Sequence, residues 1–344
     1  MAIERFTFDD LRGVPVPGFT LGNRNGLAAT VVAYGARLTR LLMPDRNGRP
    51  ADIVLGFDRL ADYAASDAYP GATCGRYGNR IGGAAFALDG VRHALSINEP
   101  PNHLHGGADG FDRRVWHAVA DEAANAVTFT LRSPDGDQGY PGALTATVRY
   151  RLTDTDELDI RMQAATDRAT MVNLVHHSYW NLAGHDAGDI RGHRLTVHGG
   201  FITPVDPALI PTGERRPVDG TPFDLRRATT LGPALDAAGG IGFDHNWCLG
   251  GPADTLRPVA RLADPASGRQ LELSANQPGL QVYSGGYLSE RIVGKGGRPY
   301  RRFAGIALET QRFPDTPNID DFPSARLDPG QLYDHRMVLR LTVA

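Results

Sequence analysis

The sequence predicts an all-β fold, one large antiparallel β domain covering residues 1–344, and three observations carry that prediction. Short runs rich in Val, Ile, Thr and aromatic residues recur between turn signals along most of the chain. Glycine (41 residues) and proline (24 residues) are abundant, as expected of many strands joined by tight turns rather than of helices. Only the stretch around Thr229 to Ala238 reads as a longer helix, and it is short and bounded by glycine.

Taken in order, residues 27–34 read as a strand leading into Gly35. Residues 38–43 read as a second, stopped by the turn Pro44-Asp45-Arg46-Asn47-Gly48. Residues 52–57 suggest another short strand, and residues 59–66 one or two helical turns. Ala84 to Leu88 and Val91 to Leu95 flank Asp89-Gly90, the pairing expected of a hairpin with a primed turn. Residues 126–131 alternate and then meet Ser133-Pro134-Asp135-Gly136. Residues 144–152 and 158–164 bracket a polar turn at 153–157. Residues 259–262 and 270–275 repeat the arrangement around Pro265 to Gly268, and residues 337–344 alternate to the end. No internal repeat, low-complexity linker or shift in composition marks a domain boundary, so a single domain is expected.

Composition narrows the function classes. The net charge of −3 and the absence of basic runs argue against a nucleic-acid partner. No apolar stretch approaches the roughly 18 to 20 residues of a membrane span. The first residues, MAIERFTFDDLRG, carry acids where a secretory signal would be basic and then apolar. Two cysteines, Cys74 and Cys248, do not suggest a disulfide framework, and a cytoplasmic location is expected. There is no P-loop, no GxGxxG opening a helix and no GxSxG, which sets aside phosphate, dinucleotide and serine-hydrolase chemistry.

Polar residues set against glycine or inside apolar runs mark the candidate site. The stretch Asn173-Leu174-Val175-His176-His177-Ser178-Tyr179-Trp180-Asn181-Leu182 is the densest. In a regular strand Asn173, Val175, His177, Tyr179 and Asn181 share one face, which would suit the floor of a polar cleft, while His176 points away. In Gly305-Ile306-Ala307-Leu308-Glu309-Thr310-Gln311, small residues lead to a carboxylate on one face, as a closely approaching ligand would require. Asn102-His103-Leu104-His105-Gly106-Gly107 places two histidines at i, i+2, a spacing that suits catalysis or a metal if the segment is a strand. Asn79-Arg80 lies in a glycine-rich stretch, Asp244-His245-Asn246 enters a strand, and Gln281 shares a face with Tyr283. Carboxylate, amide and guanidinium groups read hydroxyls, and aromatic faces cover C–H surfaces, so this set suits a sugar.

In order and approximate spacing, these motifs resemble the aldose 1-epimerase (galactose mutarotase) family, from about Leu27 to near the C-terminus. They are Gly75-Arg76-Tyr77-Gly78-Asn79-Arg80-Ile81, the Asn102 to Gly107 and His177 to Leu182 stretches, Asp244-His245-Asn246, Gly279 to Gly285 and Leu308 to Asp315. The resemblance implies a β-sandwich of large twisted antiparallel sheets with an open sugar cleft, and no metal or cofactor. It further implies Glu309 as general base and His177 as general acid. His105 would contact the sugar near the reacting centre, and Arg80, Asp244 and Gln281 would bind hydroxyls. Asn79, beside Arg80, and Tyr179, on the face of His177, join the substrate-binding set. Three departures are His176 for an asparagine, Gly78 for an alanine and Trp180 for a phenylalanine, which bear on sugar preference more than on the reaction.

The expected reaction interconverts the α and β anomers of a free monosaccharide by acid–base ring opening and closure, in a monomer or homodimer. Histidine titrates near neutrality unperturbed, whereas Glu309 needs its pKa raised by burial. Two other readings are open on the residues alone. One is a metal-dependent sugar isomerase-like β protein using His103, His105, His177 and Glu309, and the other is a non-catalytic carbohydrate-binding protein. A relative acting on a sugar phosphate would want several Arg or Lys in the cleft, and the motifs place only Arg80 there.

Overall fold

The computed structural model describes residues 3–252 and 254–344. Among these residues the long strands form three antiparallel sheets. The largest has nine strands, in the order His117–Asp121, Ala126–Ser133, Leu144–Leu152, Glu157–Thr166, Tyr333–Val343, Arg269–Ala275, Arg257–Ala263, Arg194–Val197 and Thr229–Thr230. Its strands alternate buried and exposed residues, as in the BeBiBiBeB pattern of Leu144–Leu152, because one face packs on the core and the other meets water. A six-stranded sheet runs Tyr179–Trp180, Ile306–Gln311, Gly279–Tyr283, Asp244–Leu249, Gly199–Thr203 and Arg216–Pro217. Its central strands Gly279–Tyr283 and Ile306–Gln311 are buried at every position, so both faces are covered. A five-stranded sheet of Glu4–Leu11, Val14–Gly22, Ala28–Val32, Arg37–Pro44 and Pro50–Asp52 completes the layers. One apolar core runs between them from Ile3 to Leu341 and includes Trp116, Trp180 and Trp247. Each fully buried Leu, Ile or Phe there contributes roughly 1.5–3 kcal/mol of transfer free energy. This is the antiparallel β-sandwich expected.

The local expectations hold where alternation and turn chemistry agree. The Asp89-Gly90 hairpin forms between Ala85–Leu88 and Val91–Ala94, with φ of 51° and 79° at the two turn residues. The helix is Leu231–Ala238, ended by Gly239 at φ 72°, and the residues before it form the edge strand Thr229–Thr230. Helix Leu60–Ala65 is one turn and a half. Two expectations need correction. Of the segment expected at 52–57 only Asp52, the end of strand Pro50–Asp52, is strand, and Val54 keeps a single bridge to Trp180. Its apolar residues are buried in the core without a ladder, which periodicity does not distinguish. Residues 173–182 are not one regular strand. Val175–His177 pairs with Ala72–Cys74, Ser178 breaks the run, and Tyr179–Trp180 joins the six-stranded sheet. The hairpin Glu4–Leu11 with Val14–Gly22 was not foreseen from sequence, since its burial is irregular. Among the described residues no helix is long and apolar enough to cross a membrane.

Candidate active site

A cleft of about 650 Å³ opens over one face of the six-stranded sheet. Cross-strand register builds its floor. Tyr179 pairs with Ala307, and Gln281 pairs with both Glu309 and Asn246. Extending the Tyr179–Ala307 register by two residues in each direction sets His177 across from Glu309, on the same face because side chains repeat every second residue. The row His177, Glu309, Gln281, Asn246 therefore crosses four strands from distant parts of the chain. Tyr283 pairs with Asp244 and with Ala307, one repeat along the same face.

The second wall comes from the short strands Arg80–Ile81 and His103–Leu104, registered Leu104 to Arg80. Asn79 and His105 flank this pair with left-handed φ of 65° and 51°, which turns their side chains into the cleft. They brace each other: His105 N donates to the Asn79 carbonyl at 3.2 Å, and Asn79 N donates to His105 Nδ1 at 3.1 Å. The next residue, Gly106, has φ 93°, and a Cβ there would lie 1.7 Å from the Gly75 carbonyl oxygen. Only glycine lets the two backbones approach this closely. On the far side Tyr69 packs its ring 4.7 Å from that of His105, and Tyr287, Leu288 and Ile292 form the rim.

The electrostatics follow from burial. His177 Nε2 stands 3.6 Å from Glu309 Oε1, with the side chains 5% and 2% exposed. His177 Nδ1 and Glu309 Oε2 are buried without hydrogen-bond partners. Burial pushes the Glu309 carboxyl well above its usual range, reinforced by Asp244 and opposed by Arg80. Burial also pulls the His177 imidazole down to about 4, with Arg37 assisting. His105 is depressed well below the ordinary histidine range by burial, then by His177, Arg80 and His103. Both effects have one cause: a low-dielectric pocket disfavours whichever form is charged. The pair therefore favours neutral imidazole and carboxylic acid, one proton shared between two groups.

Behind these groups runs a chain of amides. Asn79 Nδ2 points at Gln311 Oε1 at 3.5 Å, and Gln311 Nε2 donates to Gln281 Oε1 at 3.3 Å and Asn246 Oδ1 at 3.2 Å. Gln281 Nε2 then donates to Asp244 Oδ1 at 2.6 Å. Arg80 gives Nε and Nη2 to Glu99 at 2.7 and 2.8 Å.

The sequence pattern described as aldose 1-epimerase matches residues 17–340. The chain belongs to the aldose 1-epimerase family. It is 43% identical to the galactose mutarotases of Bos taurus and Homo sapiens, over 92% of this chain and 92% of each of theirs. It is 36% identical to the aldose 1-epimerase of Escherichia coli (strain K12), over 93% of this chain and 94% of that one. Among solved structures, the GalM/aldose epimerase homologue from C. elegans superposes with a TM-score of 0.88 at 30% identity, covering 94% of this chain and 98% of that one. These relationships make the protein an epimerase, an enzyme of the isomerase class.

All eight residues singled out from the epimerase's sequence line the cleft: Asn79, Arg80, His105, His177, Tyr179, Asp244, Gln281 and Glu309. His176 does turn away from Glu309, its ring nitrogens reaching Tyr150 Oη at 3.2 Å and Ser178 Oγ at 2.8 Å. Three expectations fail. Asn173 and Asn181 do not floor the cleft; their amides bond the backbone at Gly78 and Ala304. His103 and His105 do not share a face, because the strand ends at Leu104. His103 sits under the cleft against Tyr140 Oη at 2.8 Å and the Ser96 carbonyl at 2.7 Å. Gly305 makes room for Leu55 and Tyr179, whose atoms lie 2.9–3.0 Å from where its Cβ would be, and not for a ligand. Sequence reasoning missed Tyr69, Glu99 and the linking role of Gln311. Only Glu99, an acid three residues before the Asn102-His103 motif, left a visible trace.

His105, His177 and Glu309 bring three ligand atoms within 4.8 Å, which is what remains of the metal-isomerase alternative once His103 is excluded. The fit is poor. A metal-bound histidine normally donates its second ring N–H to an acceptor. Here His105 Nδ1 faces the Asn79 N–H, a donor, so Nδ1 is the unprotonated nitrogen and Nε2 carries the hydrogen. The epimerase site presents His105 to the cleft as a hydrogen-bond donor.

Proposed function

We propose that this epimerase interconverts the α and β anomers of free aldoses with Glu309 as general base and His177 as general acid. The observation that carries the reading is the opposition of these two side chains, Nε2 to Oε1 at 3.6 Å, inside a buried polar cleft. In ring opening, the Glu309 carboxylate takes the proton of the C1 hydroxyl while the His177 imidazolium gives its proton to the ring oxygen. The bond from C1 to the ring oxygen breaks and C1 becomes the aldehyde carbon. Rotation about C1–C2 presents the other carbonyl face, and closure reverses both transfers.

Opening turns an ion pair into a neutral pair, and burial favours the neutral pair. The pocket thus drives proton transfer in the opening direction, while Coulomb attraction at short range keeps the ion pair accessible. A positioned acid and base typically give about 10² to 10⁴-fold each, ample for a reaction already measurable without an enzyme. Asn79, Arg80, His105, Tyr179, Asp244 and Gln281 hold the sugar, with His105 donating through Nε2. In this reading residues 1–344 work as a single domain, in the cytoplasm, as a monomer or homodimer; the two free cysteines, Cys74 buried, fit a reducing compartment.

Polarimetry of freshly dissolved α-D-glucose, α-D-galactose and a panel of pentoses tests it. The rotation should decay faster in proportion to enzyme; binding without faster decay would favour a carbohydrate-binding protein instead.

A further inference from the structure

We propose that Glu99 is a specificity-determining residue that restricts this cleft to uncharged sugars by occupying the guanidinium of Arg80. The inference rests on the reading above and adds which sugars are refused.

Among the described residues lining the cleft, Arg80 is the only lysine or arginine, against the carboxylates of Asp67, Glu99, Asp244 and Glu309. Asp67 is already paired by Arg113 at 2.9 Å. A free guanidinium offers a two-pronged edge that grips carboxylate or phosphate groups of a ligand. Glu99 takes one such edge, accepting from Nε at 2.7 Å and Nη2 at 2.8 Å, and its carboxylate offsets the guanidinium charge. The N–H groups that remain on Nη1 and Nη2 can still donate to hydroxyls. A ligand anion meets a neutralised arginine there and must also approach Asp244.

Glu99 is held in place for this task. Its N–H donates to the Asn102 carbonyl, and its own carbonyl accepts from Asn102 N at 2.6 Å. Asn102 Oδ1 in turn accepts from Gly83 N at 3.1 Å, beside the strand that carries Arg80. The Glu99 carboxylate is thereby set at one rim of the cleft, its side chain 35% exposed, while the guanidinium it grips is 10% exposed. Removing the Glu99 charge leaves the Arg80 guanidinium at the cleft wall without its ion-pair partner, with Asp244 as the other nearby carboxylate. A change of one unit charge at the cleft wall, with surface-like screening, is worth on the order of tenfold in the binding of an anion.

The test compares mutarotation of D-galactose with D-galacturonate, and D-glucose with D-glucuronate, for the wild-type enzyme, Glu99→Gln and Glu99→Asp. Wild-type enzyme should prefer the neutral sugar by about tenfold or more in kcat/KM. Glu99→Gln should shrink that ratio by about tenfold, mainly through a lower KM for the uronate, and high salt should reverse part of the gain. Glu99→Asp keeps the charge and should stay closer to the wild-type ratio. An unchanged ratio in Glu99→Gln, including a parallel loss on both sugars, overturns the proposal; so does wild-type enzyme that turns over uronates as readily as neutral sugars, a result that needs no variant to fold. Failure of wild-type enzyme to accelerate any neutral aldose would instead remove the underlying reading.

Discussion

Glu309 and His177 face each other across an antiparallel register set two residues away, where Tyr179 pairs with Ala307. The 3.6 Å between Oε1 and Nε2 is longer than a good hydrogen bond, so neither group is consumed by the other. Each keeps a lone pair or proton for a third partner, and in the proposed mechanism the sugar's O1 and ring oxygen are that partner.

Loss of either group should remove most of the catalysis. Glu309→Gln and His177→Asn are each expected to lower kcat by about 10²-fold or more with the fold intact, the size of a lost acid or base. Polarimetric initial rates, with circular dichroism as the fold control, decide the matter. Near wild-type turnover in both variants would end the role assignment.

In the proposed mechanism the activity needs one proton on the pair, whichever group holds it. Below neutrality it fails when the pair takes a second proton, and burial pulls His177 down to about 4, so this limb should lie below the ordinary histidine value of about 6.5. At the other end it fails when the last proton leaves, and the raised Glu309 moves that limb above the usual carboxylate range. The profile of kcat/KM should therefore be a plateau whose acid limb lies below about 6.5 and whose alkaline limb lies above the usual carboxylate range, both belonging to the pair. An acid limb centred near 6.5 would show an unshifted histidine.

The same burial costs stability. The folded-state pKa of Glu309 is raised, so the folded protein retains a proton that the unfolded chain releases. Stability from this site is thus present below the unfolded carboxylate pKa and lost as pH climbs toward the folded one. Glu309→Gln abolishes that loss. It should raise Tm at pH 8 by about 1 to 3 °C and change it little at pH 4. Scanning calorimetry at the two pH values checks this, and a variant less stable at pH 8 would mean that the ion pair dominates in the free enzyme.

His105 should be the Nε2–H tautomer, because Nδ1 accepts from Asn79 N. Nitrogen-15 spectra of the imidazoles would report it directly. For the same reason, dialysis against EDTA or phenanthroline should leave the rate unchanged. Activity lost to chelator and restored by zinc would revive the metal reading built on His105, His177 and Glu309.

Gly106→Ala should damage the site from outside it. The left-handed φ of 93° costs an alanine about 1–2 kcal/mol, and its Cβ would collide with the Gly75 carbonyl oxygen. The backbone must shift, and it carries His105 with it. Urea unfolding should show the lost stability, together with a rise in KM for the sugar. An unchanged KM would separate Gly106 from the placement of His105.

How much of this was legible in the chain depends on the range of the interaction. Alternation and turn chemistry act over a few residues, so the hairpin at Asp89-Gly90 and the helix at Leu231–Ala238 could be read before any contact was known. Polar residues set against glycine or inside apolar runs, and the order of their motifs, carried the eight cleft residues, since apolar runs tolerate such groups only where something meets them. The pattern misled where local regularity ended: the break at Ser178, the strand end after Leu104 and the packing of Gly305 against Leu55 and Tyr179 are imposed by distant neighbours.

By itself, then, the sequence determined an antiparallel β chain of the aldose 1-epimerase family and marked the polar side chains proposed to hold a sugar and to act as its acid and base. The tertiary structure decided which atoms do the reading: that Glu309 stands opposite His177, that His105 offers Nε2, that His103 is structural and that Glu99 holds Arg80. Those outcomes depend on cross-strand register and burial, and hence on residues up to 132 positions apart for His177 and Glu309 (309 − 177). No run of adjacent residues encodes the dielectric in which its own side chains will sit.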